Sequence, residues 1–243
     1  MSNWYPQDKK DLNQLLDKYL NQEIKRPKKF VSSDIHGIIV PHAGYDFSGE
    51  ITGKAYSSLK GSKQKKAIIL APSHYFELNN ATSHNESEWI TPLGKIKVNQ
   101  RGFLKQNISQ EHAIDNQIPF LQKLDFNEIL PIVVGEINQE EAKQIAEKLI
   151  KLEGIFIFST DLSHFLSYEN AKEKDNETIK AIETLDTEKI LNIENSACGI
   201  YPLLVLIELC KIKKWKPRFI EYKNSGDITG DKDSVVGYCS MIF

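Results

Sequence analysis

Short apolar runs that alternate with amphipathic helical patterns are the feature that most constrains the fold of this sequence. Four runs, rich in Ile, Val, Leu and Phe and bounded by turn residues, predict strands that are buried on both faces. Helical patterns precede or separate them at residues 8–20, 49–60, 113–124 and 138–152. This alternation predicts an α/β fold, a three-layer α/β/α sandwich around a central sheet. The predicted strands are Ile35–Val40, Lys66–Ala71, Ile129–Gly135 and Gly154–Ser159.

Two further pairs of segments predict antiparallel hairpins, so we expect the sheet to be mixed. Trp89–Thr91 and Lys95–Val98 flank a turn, and Arg218–Tyr222 is followed by Ser234–Phe243. A polar connection is expected from Asn21 to Ser33. Because no repeat, low-complexity tract or shift in composition marks a linker, residues 1–243 are predicted to form a single domain.

Charge and cysteine usage limit the function classes. The 31 basic and 33 acidic residues give a net charge of −2, which argues against nucleic-acid binding of the electrostatic kind. No apolar stretch is long enough to span a membrane, and the start carries no secretion signal. Three cysteines without framework spacing are typical of reduced thiols. The expected location is the cytoplasm.

Histidines stand just beyond three of the predicted strands. His42 follows the first strand, His74 follows the second, and Asp161 and His164 follow the strand that ends at Ser159. Ligands of open α/β sheets bind beyond the carboxyl ends of the strands. A lone histidine is usually structural, but three that converge on one edge predict a metal or catalytic site assembled by tertiary structure.

Cys198 is a further candidate because of its place before a helix. Pro202 suits the first turn of a helix, and the apolar run after it predicts a buried one. Cys198 then precedes a helix N-terminus, where the partial positive charge is expected to favour the thiolate. The alternative is a small buried hydrophobe, which is the interpretation for Cys210 and Cys239.

Other titratable residues carry weaker signals. His36 and His84 are interpreted as structural. His112 stands before a helical pattern, and its role is left open. Asp46 and Glu50 lie close to His42 in sequence without evidence that either is a ligand.

Taken together, these motifs resemble the Memo family, whose prokaryotic members are called protein B of the AmmeMemoRadiSam system. The resemblance runs from residue 40 to about residue 200 and is specific in combination. The matching stretches are Val40-Pro41-His42-Ala43-Gly44-Tyr45 with Ser48-Gly49, Ala71-Pro72-Ser73-His74, Glu111-His112-Ala113-Ile114 with Gln117-Ile118-Pro119-Phe120, Ser159-Thr160-Asp161-Leu162-Ser163-His164 and Ala197-Cys198-Gly199.

The resemblance implies a fold similar to class III extradiol dioxygenases and a redox metal, iron or copper. The implied metal ligands are His42, His74 and Cys198, with Asp161 and His164 as catalytic residues. In the dioxygenases the third protein ligand is a carboxylate. A thiolate in its place favours copper(I) or thiolate-ligated iron.

Three functions stay open at this point. The first is a metal-binding redox protein, an oxidoreductase in a modification pathway linked to radical-SAM chemistry. The second is an enzyme proper: a non-haem iron dioxygenase of the extradiol type or, more weakly, a metal-free hydrolase with Cys198 as nucleophile and His164 as base. The third is a non-catalytic protein that binds a peptide or a partner. The expected partners are a small molecule or peptide and, from the resemblance, radical-SAM and AMMECR-like proteins.

Overall fold

The fold is taken from a computed structural model that describes residues 4–22 and 35–243. Most of the connection predicted at Asn21–Ser33 lies outside these residues. The described chain forms eleven strands and nine helices. The strands are β1 (Gly37–Val40), β2 (Lys66–Pro72), β3 (Ala81–His84), β4 (Glu88–Thr91), β5 (Gly94–Val98), β6 (Leu104–Gln106), β7 (Glu128–Val134), β8 (Ile155–Ser159), β9 (His164–Leu166), β10 (Arg218–Asn224) and β11 (Val235–Ile242). The helices are α1 (Lys9–Leu20), α2 (Tyr45–Ser57), α3 (His112–Asp115), α4 (Ile118–Lys123), α5 (Gln139–Leu149), α6 (Tyr168–Thr184), α7 (Thr187–Asn192), α8 (Ile200–Lys213) and α9 (Gly226–Thr229).

A large mixed sheet forms the middle layer, as predicted. Its strand order is β10-β11-β1-β8-β2-β7-β3-β6. The four central strands β1, β8, β2 and β7 are parallel, with registers such as Ile38 opposite Ile157. β11 pairs antiparallel with β1 and β10, and β4 pairs antiparallel with β5. The parallel centre therefore directs the carboxyl ends of β1, β8 and β2 to one edge.

Helices cover both faces of the sheet, which makes the three-layer α/β/α sandwich. One core packs α1, α2, α3 and α4 against alternate strand residues such as Ile38 and Ile69. The opposite core packs α5, α6, α7 and α8 against their neighbours, such as Ile39 and Leu70. Because successive strand residues point to opposite faces, both faces of the central strands are apolar.

Most predicted elements are confirmed, with shifted ends. α5 has the predicted stripe of apolar residues, and a capping box between Asn138 and Glu141 starts it. α8 is buried along most of its length, as its composition predicts.

The single helix predicted at residues 113–124 is wrong, since the chain forms the two short helices α3 and α4. Pro119 has no N–H to continue the hydrogen-bond ladder from Asp115, and its ring disfavours a helix interior. The break directs the buried polar side chains of Asn116 and Gln117 towards the carboxyl edge of β1, where Gln117 donates to Pro41 O at 3.0 Å.

No described helix is both long and apolar enough to cross a membrane.

Candidate metal centre

Three histidines come together at the carboxyl edge of the sheet. His42 follows β1, His74 follows β2, and His112 begins α3. One ring nitrogen of each lies within 4.8 Å of those of the other two. The ring centroids are 4.5–5.3 Å apart. Histidine nitrogens that converge in this way can hold a metal ion.

The His42 ring is fixed by a buried serine. Ser159 Oγ donates to Ala113 O at 2.7 Å and accepts from Gln117 Nε2 at 3.0 Å. In the third contact of Ser159 Oγ, at 3.0 Å, the His42 Nδ1–H must therefore be the donor. Burial, followed by the neighbouring His74 and His112, holds the pKa of His42 well below its ordinary value. His42 is thus neutral, with its proton on Nδ1 and a free lone pair on Nε2.

The His74 ring is oriented by a fully buried carboxylate. Its Nδ1–H donates to Glu111 Oε1 at 2.8 Å, and its backbone N–H donates to Glu111 Oε2 at 2.9 Å. Burial alone would raise the pKa of Glu111, but the hydrogen bonds from His74 outweigh it and hold that pKa below its ordinary value. A carboxylate behind a histidine is the usual support of a metal-ligating ring. With Nδ1 occupied in this way, His74 Nε2 is the nitrogen that can bind a metal ion.

His112 forms the outer side of the group. Its ring stacks on Trp4 with centroids 4.3 Å apart, and its Nδ1 lies 3.0 Å from the Tyr75 hydroxyl. Burial, with a further contribution from His74, lowers the pKa of His112 to about 4. The ring is therefore neutral near pH 7, as a metal ligand requires.

The Cys198 sulfur lies directly beside His42. Its Sγ is 3.2 Å from His42 Nε2 and accepts from Asp161 N at 3.2 Å. Because Nε2 carries a lone pair, the thiol S–H donates to it. The expected bias towards the thiolate is wrong for the metal-free chain: burial, together with the Asp161 carboxylate, raises the pKa of Cys198. Among the described residues, Cys198 is not part of the group within 4.8 Å.

Asp161 connects β8 to the backbone of the first histidine. Its Oδ1 accepts from His42 N at 2.8 Å, and its Oδ2 lies 4.0 Å from His42 Nε2. Burial raises the pKa of Asp161 to about 6, although the His42 N–H and the charge of His164 oppose the shift. Asp161 can therefore hold or release a proton close to neutral pH.

His164 begins β9, whose pairing with β11 positions it. Its Nδ1–H donates to Leu162 O at 2.8 Å, which leaves Nε2 unprotonated in the neutral ring. Its electrostatic influence reaches both His42 and Asp161. The structure thus brings His164 to the same edge as the three-histidine group without placing it among the group's donors.

Residues outside the group also have clear places. His36 stacks on Trp215 at 4.3 Å between ring centroids, and His84 Nδ1 accepts from Ile108 N. Glu50 pairs with Lys223 at 3.1 Å. The supporting residues Glu111, Ser159 and Gln117 were not identified from the sequence. Only the pair Glu111-His112 before a helical pattern gave a signal for this side of the site.

Fold and site define a class of protein: a three-layer α/β/α sandwich with a group of three histidines, able to hold a metal ion, at the carboxyl edge of a mixed sheet. The model of the Memo family, described as Memo-like protein, matches residues 2–242. A MEMO1 family protein of Thermoplasma acidophilum is 34% identical to this chain, over 98% of it and 95% of the relative. A MEMO1 family protein of Aquifex aeolicus is 33% identical, over 99% of this chain and 96% of its own. The chain belongs to the Memo family.

Proposed function

We propose that this protein holds one iron or copper ion at His42, His74 and Cys198 and acts in redox chemistry there, with His112 beside these ligands. The observation that carries the proposal is the protonation pattern of the two inner rings. Acceptors hold the Nδ1 proton of both His42 and His74, so each ring offers Nε2 as a donor.

The distance between His42 and Cys198 supports this choice of third ligand. Two donors bound 2.0–2.3 Å from one tetrahedral ion are about 3.5 Å apart. His42 Nε2 and Cys198 Sγ are 3.2 Å apart, close to that separation before any ion is present. One imidazole pair and one thiolate suit iron and copper. A bound ion of either kind supplies one-electron redox chemistry.

The chain's own groups provide the remaining functions. Asp161 and His164 are the proposed acid and base, because burial raises the pKa of Asp161 to about 6 and the hydrogen bond of His164 Nδ1 to Leu162 O leaves His164 Nε2 available for proton exchange. Ser159 and Glu111 hold the two inner rings. Radical-SAM and AMMECR-like proteins are the proposed partners, and co-purification from the native cell tests them.

Metal binding tests the proposal directly. The wild type and the variants Cys198→Ser and His112→Gln are purified anaerobically, analysed for metal content and titrated with Co²⁺. We expect iron or copper in the wild type and a sulfur-to-cobalt charge-transfer band that His112→Gln retains and Cys198→Ser loses. A band-free wild type with normal cobalt affinity would instead identify the three histidines as the ligands. Absence of iron and copper would refute the proposal.

Oxygen uptake with catechols separates this function from the extradiol-type alternative. Uptake that His164→Ala abolishes, with a ring-opened product rather than a quinone, would establish ring cleavage. Its absence across a panel of catechols, with metal bound, is the result expected for the proposed redox role.

A further inference from the structure

A large cleft opens beside the outer histidine of the site. Its volume is about 970 Å³, which is enough for a drug-sized organic molecule. His112 and Tyr75 both line it, and the Tyr75 hydroxyl lies 3.0 Å from His112 Nδ1. A molecule in this cleft therefore reaches the three-histidine group from its His112 side.

Aromatic side chains form much of the cleft wall. Trp4 and Tyr75 are partly exposed, at 37% and 50% of their surface. Tyr5 and Trp89 lie behind them and are held in place by one carboxylate: Tyr5 donates to Asp115 at 2.7 Å, and Trp89 Nε1 donates to Asp115 at 2.8 Å. Such ring faces attract organic cations as well as apolar groups.

The charge of the lining has one sign. Among the described residues that line the cleft there are three carboxylates, Glu86, Glu88 and Asp115, and no lysine or arginine. Glu88 pairs with Lys95 at 2.6 Å. His84 accepts a hydrogen bond from Ile108 N on its Nδ1, and burial lowers its pKa. His84 is therefore neutral near pH 7 and adds no positive charge to the lining.

We propose that this cleft binds an organic cation, an amine or guanidinium group carried on an apolar body, and presents it to the histidine site. The aromatic walls hold the body, and the Glu86 carboxylate favours the positive group. An anionic ligand of the same shape meets no lysine or arginine in the described lining and is disfavoured. The inference rests on the proposed function only for the chemistry of the bound molecule, not for its binding.

Three probes of similar shape and different charge test the cleft. Phenethylamine, 2-phenylethanol and 3-phenylpropionate are titrated calorimetrically, at low salt, into chelator-treated wild type. We expect the amine to bind about tenfold more tightly than the alcohol, as a cation–π contact predicts, and the carboxylate to bind least. Equal binding of amine and alcohol, tighter binding of the carboxylate, or no binding of any probe would overturn the proposal.

Variants locate the binding. Glu86→Gln is expected to weaken the amine about threefold, the size of one exposed charge interaction, and to leave the alcohol unchanged. Glu147→Gln, on the exposed side of α5, is the matched control. Trp4→Leu is expected to weaken both probes. Identical amine binding by the two glutamine variants would place the probe elsewhere and refute the inference.

Metal titration of the same Glu86→Gln protein keeps the two proposals apart. Glu86 is not a proposed ligand, so metal affinity should be that of the wild type. A wild type that binds metal but shows no preference for the amine refutes the cleft alone. A wild type that binds the amine as expected but takes no metal refutes the proposed function and leaves the cleft standing.

Discussion

Replacing Glu111 with glutamine should weaken metal binding although Glu111 is not itself a proposed ligand. The wild-type carboxylate is fully buried and accepts three hydrogen bonds, two from His74 and one from Ala113 N at 3.2 Å. A glutamine can keep its oxygen towards His74 Nδ1, and its NH₂ then faces the His74 backbone N–H. In the flipped amide the NH₂ donates to Nδ1, which moves the ring proton to Nε2 and removes the ligand lone pair.

Both orientations therefore have a cost. A buried donor left without an acceptor destabilises a fold by about 1–3 kcal/mol. Loss of a carboxylate behind a metal-ligating histidine lowers metal affinity about 10- to 100-fold, which corresponds to about 1.4–2.8 kcal/mol. Because the flipped amide removes the His74 lone pair that would bind the metal, Glu111→Gln should lose more metal affinity than reduced stability of the fold alone would cause.

The assay is a calorimetric titration with Zn²⁺, a redox-silent probe, alongside urea denaturation followed by circular dichroism. Glu147→Gln makes the same chemical change on an exposed helix face and should match the wild type in both measurements. A Glu111→Gln protein that binds Zn²⁺ as tightly as the wild type would refute the reasoning, whatever its stability.

Three further changes probe the framework. Ser159→Ala leaves His42 Nδ1, Gln117 Nε2 and Ala113 O without their shared partner, and should lower Zn²⁺ affinity about tenfold or more; unchanged affinity in the same titration would contradict the assigned tautomer. Gly237→Ala drives a Cβ into Asp175 Oδ2, which accepts from Tyr222 at 2.8 Å, so urea denaturation should show a loss of about 1–3 kcal/mol; wild-type stability would show that Asp175 can move. The hydrogen bond from Lys97, with smaller help from Asn99, holds the pKa of Glu128 below its ordinary value against partial burial. The ion pair stabilises the fold fully above the unfolded pKa of about 4.5, and this stabilisation is lost as the pH falls through the lower folded value. Glu128→Gln should therefore cost less than about 1 kcal/mol at pH 7, and this cost should shrink as the pH is lowered; a difference that does not shrink would exclude the charge as its cause.

The sequence predicted the sheet well because its signal is local. Buried parallel strands are continuous apolar runs, and their ends locate the side chains just beyond them. His42 and His74 were found in this way, since each comes within two residues of the end of β1 or β2. The two antiparallel hairpins and the buried helix α8 were also predicted from local patterns.

The rest of the site depends on contacts between distant segments. His112 joins the group because α3 packs against β2 and β7, and Glu111 reaches His74 across 37 residues of sequence. A single helical pattern hid the break between α3 and α4 at Asn116 and Gln117. The thiolate expected at Cys198 was wrong because the helix terminus alone does not decide its pKa, which also depends on the burial of the sulfur and on the neighbouring Asp161.

The break between α3 and α4 has a consequence for the free-energy cost of binding a ligand at the site. Asn116 and Gln117 connect this segment to the chain after β1, and Gln117 also reaches Ser159 at the end of β8. Three separate segments have thus lost their conformational freedom when the chain folds. An ion or small molecule that binds here has little further order to impose, so little of its binding free energy is spent on ordering the protein.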